Sequence, residues 1–140
     1  MNLKTTTLPP ASRSFAVLMG PTASGKSALA IDIACNQNGV IINADSMQVY
    51  ADLNILTARP GPADLDRAPH RLYGIIDGAE RCSVGRWRAL ARQEVEQVWD
   101  SGKLPILVGG TGMYMQAALS GISPIPDIAE DYRLAVLENI

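Results

Sequence analysis

Aromatic side chains are scarce in this sequence, with one phenylalanine, two tryptophans and four tyrosines among 140 residues. A core built from it has to pack mainly on aliphatic groups. Cysteine is scarce as well, and Cys35 and Cys82 show no C-x-x-C spacing. That excludes a disulfide framework or a thiolate zinc site and makes a reducing cytoplasm the simplest compartment. No apolar run approaches the ~18 residues of a membrane span. The polar leader 1–14 lacks the apolar centre of a secretory signal and reads as a loose tail. Net positive charge is missing too: the formal sum is −2, which gives no global reason to expect nucleic acid. Locally the balance differs, since seven arginines face four acids between Arg59 and Arg92, a pattern most simply read as a solvated face. Internal repeats and low-complexity segments are absent.

What is present fits one globular domain, with 47% hydrophobic and 19% charged residues. Phe15–Gly20 is a short apolar run ending in glycine and predicts a buried strand. Lys26–Asn36 has helical spacing through Leu29 and Ile33, with Gly39 as its stop. Val40–Ala44 predicts a second buried strand, and Arg71–Ile75 a weaker third. Ser83 caps a long predicted helix to Ser101, whose apolar face is Val84, Trp87, Ala91, Val95 and Val98, with Gly102 ending it. Leu104–Val108 is a fourth strand and Gly112–Leu119 a helix before Gly121. Asp127 and Glu130 form a capping box for a last helix through Leu134 and Leu137, still in progress at Ile140. This order predicts an α/β fold with a mostly parallel sheet, a P-loop NTPase-like three-layer sandwich incomplete at the C-terminus. The expectation is an amino-terminal portion of a larger protein, with a leader at 1–14 and the α/β core at 15–121.

Gly20-Pro21-Thr22-Ala23-Ser24-Gly25-Lys26-Ser27 matches G-x-x-x-x-G-K-[ST] in full, after a predicted strand and opening a predicted helix. Glycines let backbone N–H groups turn toward phosphate oxygens, and the helix N-terminus adds partial positive charge. Lys26 supplies a point charge for a terminal phosphate, and the Ser27 hydroxyl a ligand for Mg²⁺. The motif alone does not separate a nucleoside triphosphate from another diphosphate ligand. Asp45 follows the second strand, on the edge where ligands gather in open α/β sheets. It could hold Mg²⁺ through water, accept a proton from a substrate, or merely cap a helix. The fourth strand ends in Gly109-Gly110-Thr111-Gly112, where Thr111 is either a binding hydroxyl or a simple helix cap. Asp45 is thus the strand-end acid to which proton chemistry falls.

The segments GPTASGKS (20–27), INADSMQVY (42–50), TARP (57–60), APHRLYGIID (68–77), SVGRW (83–87) and GKLPILVGGTGMYMQAAL (102–119) together resemble the tRNA dimethylallyltransferases, also called tRNA isopentenylpyrophosphate transferases. The likeness runs in order from about Phe15 to the end of the chain. It implies that the Gly20–Ser27 loop holds dimethylallyl diphosphate and that the acceptor is N6 of the adenosine 3′ to a tRNA anticodon. By matching position, Asp45 is implied as general base and Thr111 as a second catalytic residue. Asp45, Ser46, Met47, Gln48, Thr111 and Arg133 are implied as tRNA contacts, and 122–140 as the start of a helical tRNA-binding insertion. Mg²⁺ is the implied cofactor, and the full-length enzyme is implied to be a monomer away from membranes. Cys82 stands where the family usually has an aromatic, and Arg59 where lysine is common. Family members are about twice this length, and the remainder carries a diphosphate-clamping arginine. Two other readings stay open: a P-loop kinase that passes phosphate from ATP to a small molecule, or the related branch that prenylates free adenine nucleotides. A chain that only binds phosphates is a third.

Overall fold

A computed structural model describes residues 13–53 and 58–122, with the Leu53 side chain left aside. Strand β1 (Ala16–Met19) leads to helix α1 (Lys26–Gln37) and strand β2 (Gly39–Asn43). A short 3-10 turn at Ala51–Leu53 precedes helix α2 (Pro62–Arg67) and strand β3 (His70–Arg71). Helix α3 (Val84–Asp100), strand β4 (Leu104–Gly109) and helix α4 (Gly112–Ser120) complete the described order.

The four strands lie parallel in the order β1-β4-β2-β3. Ile41 sits beside Ile106 and Ile42 beside Leu107, so β2 and β4 form the sheet's centre. Side chains alternate across a strand, and both faces here are covered. Val40, Ile42, Ala44 and Leu107 pack under α3 and α4 with Trp87, Ala91, Tyr114 and Met115. Ile41, Ile106 and Val108 pack on the opposite face against Ala30, Ile31 and Ala34 of α1. Double coverage is why these strands read as continuous apolar runs. The fold is therefore an α/β three-layer sandwich, with a sheet that is parallel throughout the described residues.

Several boundaries differ from the sequence expectation for physical reasons. β1 is not a fully buried strand: Val17 and Met19 are exposed, because among the described residues β1 pairs only with β4. Asn38, not Gly39, ends α1, taking the left-handed conformation at φ 51° and donating its N–H to the Ala34 carbonyl. The third strand is two residues long because Leu72 turns to φ 63°, so the expected run to Ile75 breaks at once. α2 falls in a stretch expected to be loop; Pro62 starts it and Asp64 closes a capping box back to Gly61. The long helix follows its expected course. Ser83 Oγ accepts from Arg86 N at 3.1 Å, Trp87, Ala91, Val95 and Val98 are buried, and Gly102 follows at φ 72°. Ser14 is tied down: Trp99 donates its indole N–H to the Ser14 carbonyl at 2.8 Å. The predicted last helix beyond Pro126 lies outside the described residues.

Candidate active site at the strand ends

Parallel strands deliver their carboxyl ends to one edge, and three loops leave that edge side by side. The first runs from Gly20 into α1. Its residues Pro21 to Gly25 are exposed. Ala23 and Gly25 both have positive φ, 60° and 82°. The backbone is thereby wound tightly ahead of the helix. Gly25 caps α1 without any side-chain hydrogen bond, so the first N–H groups of the helix are left for another acceptor. Lys26 folds back over the loop and donates from Nζ to the Pro21 carbonyl at 3.1 Å. The Ser27 hydroxyl is exposed and makes no hydrogen bond among the described residues. This arrangement gathers positive charge and donors at one point, which suits an anion.

The second loop leaves β2 at Asp45. No helix starts there, so the capping alternative for Asp45 falls away. Its Oδ1 instead accepts from Met47 N at 2.8 Å, and Oδ2 has no hydrogen-bond partner among the described residues. The third loop, after β4, touches both of the others. A side chain at Gly110 would press on the Gly20 carbonyl at 3.2 Å, and one at Gly109 would collide with the Ala44 carbonyl. Glycine is needed at 109 because the ends of β2 and β4 close up there. Thr111 then reaches across: its Oγ1 accepts from Ser46 N at 3.0 Å and lies 3.4 Å from Ser46 Oγ. It makes no side-chain cap to α4. The plain capping alternative for Thr111 is thus replaced by a tie between the two loops.

Two phenols flank the carboxylate electrostatically. Burial raises the Tyr73 hydroxyl well above the usual tyrosine range, and the Asp45 charge adds to that. Tyr114 is raised likewise, first by burial and its contact with Cys82, with smaller contributions from Tyr50 and Asp45. Both phenols therefore stay neutral near pH 7, and Tyr114 donates to the Cys82 carbonyl at 3.5 Å. Tyr73 also lines a small cavity with Ser27, Ile31, Ile41 and Val108. Tyr114 stacks on Trp87 with ring centroids 4.4 Å apart.

Of the residues singled out from sequence, Gly20, Pro21, Thr22, Ala23, Ser24, Gly25, Lys26 and Ser27 form the first loop. Asp45, Ser46, Met47 and Gln48 form the second, with Met47 exposed. Thr111 joins the second loop, and Arg133 lies outside the described residues. Sequence reasoning missed Asn43, Tyr73 and Tyr114. The signal for Asn43 was available, since it is a polar residue within an apolar strand that has to bury both faces. In the arginine-rich stretch Arg67 pairs with Asp32, Arg86 with Glu80 and Arg92 with Glu96, all on the exposed surface.

Residues 48–139 match the family model described as IPP transferase. The chain is 57% identical over 129 residues to the tRNA dimethylallyltransferase of Rhodospirillum rubrum, covering 92% of this chain and 40% of that protein. It is 50% identical to the enzyme of that name from Rhodospirillum centenum, covering 89% and 40%. Among solved structures, it superposes on the full-length tRNA isopentenylpyrophosphate transferase of Bacillus halodurans with a TM-score of 0.78 and 35% identity, over 91% of this chain and 43% of that one. A eukaryotic dimethylallyltransferase acting on tRNA gives a TM-score of 0.78 at 32% identity, over 91% and 32%. The chain thus spans about two fifths of the length of its bacterial relatives. With most of its length matched in sequence and in backbone, the chain belongs to the IPP transferase family.

Proposed function

We propose that the whole protein transfers a dimethylallyl group from dimethylallyl diphosphate to N6 of the adenosine 3′ to a tRNA anticodon. The observation that carries this reading is the joining of three loops at one sheet edge. A bare helix end with Lys26 stands on one side, the Asp45 carboxylate on the other, and Thr111 ties the second to the strand between them. Because β4 separates β1 from β2, the two sides stand about 10 Å apart, two strand spacings. That distance suits an allyl group and an amine between a diphosphate and a carboxylate.

In the proposed reaction the adenine amine forms an N–C bond to the allylic carbon as the C–O bond to the diphosphate breaks. The bonding electron pair leaves with the diphosphate oxygen, and Asp45 takes the proton from N6. The amine is a poor nucleophile because its lone pair is delocalised into the ring, so a positioned base contributes about 10²–10⁴-fold. Charge collects on the leaving group, where Lys26 and the loop N–H groups stabilise it. The adenosine has to leave its stack to reach the edge, as with other base-modifying enzymes. Ser46, Met47, Gln48, Thr111 and Arg133 are proposed as further contacts to the RNA.

Mg²⁺ fits the residues present. The exposed Ser27 hydroxyl heads α1, and no group of three His, Cys, Asp or Glu forms a cage among the described residues. Magnesium commonly binds through few protein ligands and the substrate's phosphates. Ser27 would hold it, and the ion would supply further charge against the departing diphosphate. No described helix is long and apolar enough to cross a membrane. The proposed setting is the cytoplasm, with the protein acting as a monomer.

The protein at the full length of its relatives, given dimethylallyl diphosphate, Mg²⁺ and an anticodon stem-loop, is expected to yield N6-dimethylallyladenosine, read by mass spectrometry of the digested RNA. Unmodified RNA alongside ATP-dependent phosphorylation of a metabolite would overturn the proposal in favour of a kinase. Prenylation of free adenosine monophosphate in preference to the RNA would replace the acceptor while keeping the donor.

A further inference from the structure

Asn43, the last residue of β2, is 0% exposed and is the buried polar or charged side chain among the described residues. Burying a primary amide is costly unless its hydrogen bonds are replaced. Here they are. Nδ2 donates to the Asp45 carbonyl at 3.0 Å and to the Leu72 carbonyl at 3.1 Å. Oδ1 accepts from Asp45 N at 2.9 Å. The main-chain carbonyl of Asn43 accepts the Trp87 indole N–H, also at 2.9 Å. One side chain therefore grips both peptide groups that flank the Asp45 side chain. A strand end could be finished with a single such bond. Two bonds to the same residue fix its backbone on both sides of Cα, which leaves only the side-chain torsions to place the carboxylate. Met47 N then holds Oδ1, and Oδ2 stays unpaired among the described residues.

We infer that Asn43 is the positioning residue of the site: its side chain anchors the Asp45 backbone to Leu72 so that the carboxylate meets the adenine amine in a fixed pose. This rests on the reading of Asp45 as the base. Misplacing a reacting group by about 1 Å can cost up to about 10²-fold in rate. An asparagine that merely completed the strand would lower stability without acting through Asp45.

The test is a cycle in the full-length protein, comparing Asn43→Ala, Asp45→Ala and the double variant in anticodon stem-loop prenylation. Asn43→Ala is expected to lower kcat about tenfold or more while the KM for dimethylallyl diphosphate stays within about twofold. In the Asp45→Ala background the same change should lower kcat no further. Asn43→Ser should recover part of the rate, because a hydroxyl can still accept from Asp45 N. If Asn43→Ala fails to fold, Asn43→Ser carries the cycle, with a smaller fall that again vanishes without the carboxylate. Unchanged kcat in Asn43→Ala, or defects that multiply in the double variant, overturns the positioning role and leaves the base assignment standing. A wild-type rate in Asp45→Ala overturns both.

Discussion

The loop after β1 and the loop after β2 border the same sheet edge, yet they are held in different ways. The first is held by its own backbone. Among the described residues its hydrogen bonds are short-range, from Lys26 Nζ to the Pro21 carbonyl and from Leu29 N to the Gly25 carbonyl, and its tip from Pro21 to Gly25 is exposed. The second is held by the rest of the molecule. Asn43 is bonded to Leu72 and Trp87, Ser46 to Thr111 some 65 residues away, and Gln48 and Val49 accept from Gly74 and Ile75. An anion cradle needs only N–H groups and a cation, which a helix end supplies locally. A base that must meet one amine proton needs a fixed pose, and that comes from long-range contacts. Changes in the first loop should therefore act on binding, and changes in the second on rate or on folding.

The strongest break between the two should come from Asp45→Ala. Transfer is expected to fall by about 10²–10⁴-fold, with dimethylallyl diphosphate binding unchanged by calorimetry. An undiminished rate would show that the second loop is not where the proton goes. Lys26→Ala should do the reverse. Losing one charge-assisted contact is worth about 1.5–3 kcal/mol, so diphosphate affinity should drop roughly 10- to 100-fold while the melting temperature hardly moves. Equal affinity in that variant would mean the loop grips its ligand through backbone alone.

Glycines sharpen the comparison on the stability side. A methyl group at Gly109 meets the Ala44 backbone, which cannot swing away, and the N–H of Asp45 at 2.8 Å. Gly109→Ala should therefore cost about 1–3 kcal/mol and displace the carboxylate as well. At Gly20 the nearest atom is Ser24 Oγ at 3.2 Å, a side chain that can rotate. Gly20→Ala should stay within about 1 kcal/mol of wild type in urea unfolding. Similar losses at the two positions would mean that both loops are braced alike.

The same contrast explains what could be read from the sequence. The Gly20–Ser27 motif, the Ser83 cap and the apolar stripe of α3 are local patterns, and each lies where its spacing puts it. β2 and β4 were legible because strands covered on both faces show unbroken apolar runs. The weak third strand was overextended, since nothing local announces that Leu72 turns to positive φ so that its carbonyl can accept from Asn43. α2 was missed because six residues carry too little periodicity, and its start signal is a proline easily taken for loop. Around Asp45, the position of the acid was legible but its surroundings were not. Trp87 counted as an apolar residue of a helix face, although its N–H reaches the Asn43 carbonyl across 44 positions. Tyr73 and Tyr114 carried no motif that pointed toward a carboxylate.

Thr111 offers the finest division, because it touches the second loop through its hydroxyl, bonded to Ser46, and sits next to the glycines that face the first. Its hydroxyl accepts from Ser46 N and leaves α4 uncapped, which is a poor use of a threonine at a helix start unless the tie to Ser46 matters more. Thr111→Val keeps the shape and removes the acceptor, stranding a half-buried N–H. The expected cost is about 0.5–1.5 kcal/mol by urea unfolding, with Thr111→Ser close to wild type. If valine proves as stable as threonine, the Ser46 N–H is satisfied by water and the tie is not structural. A rate loss in the valine variant would then have to come from a missing contact to the RNA, and not from a slackened loop.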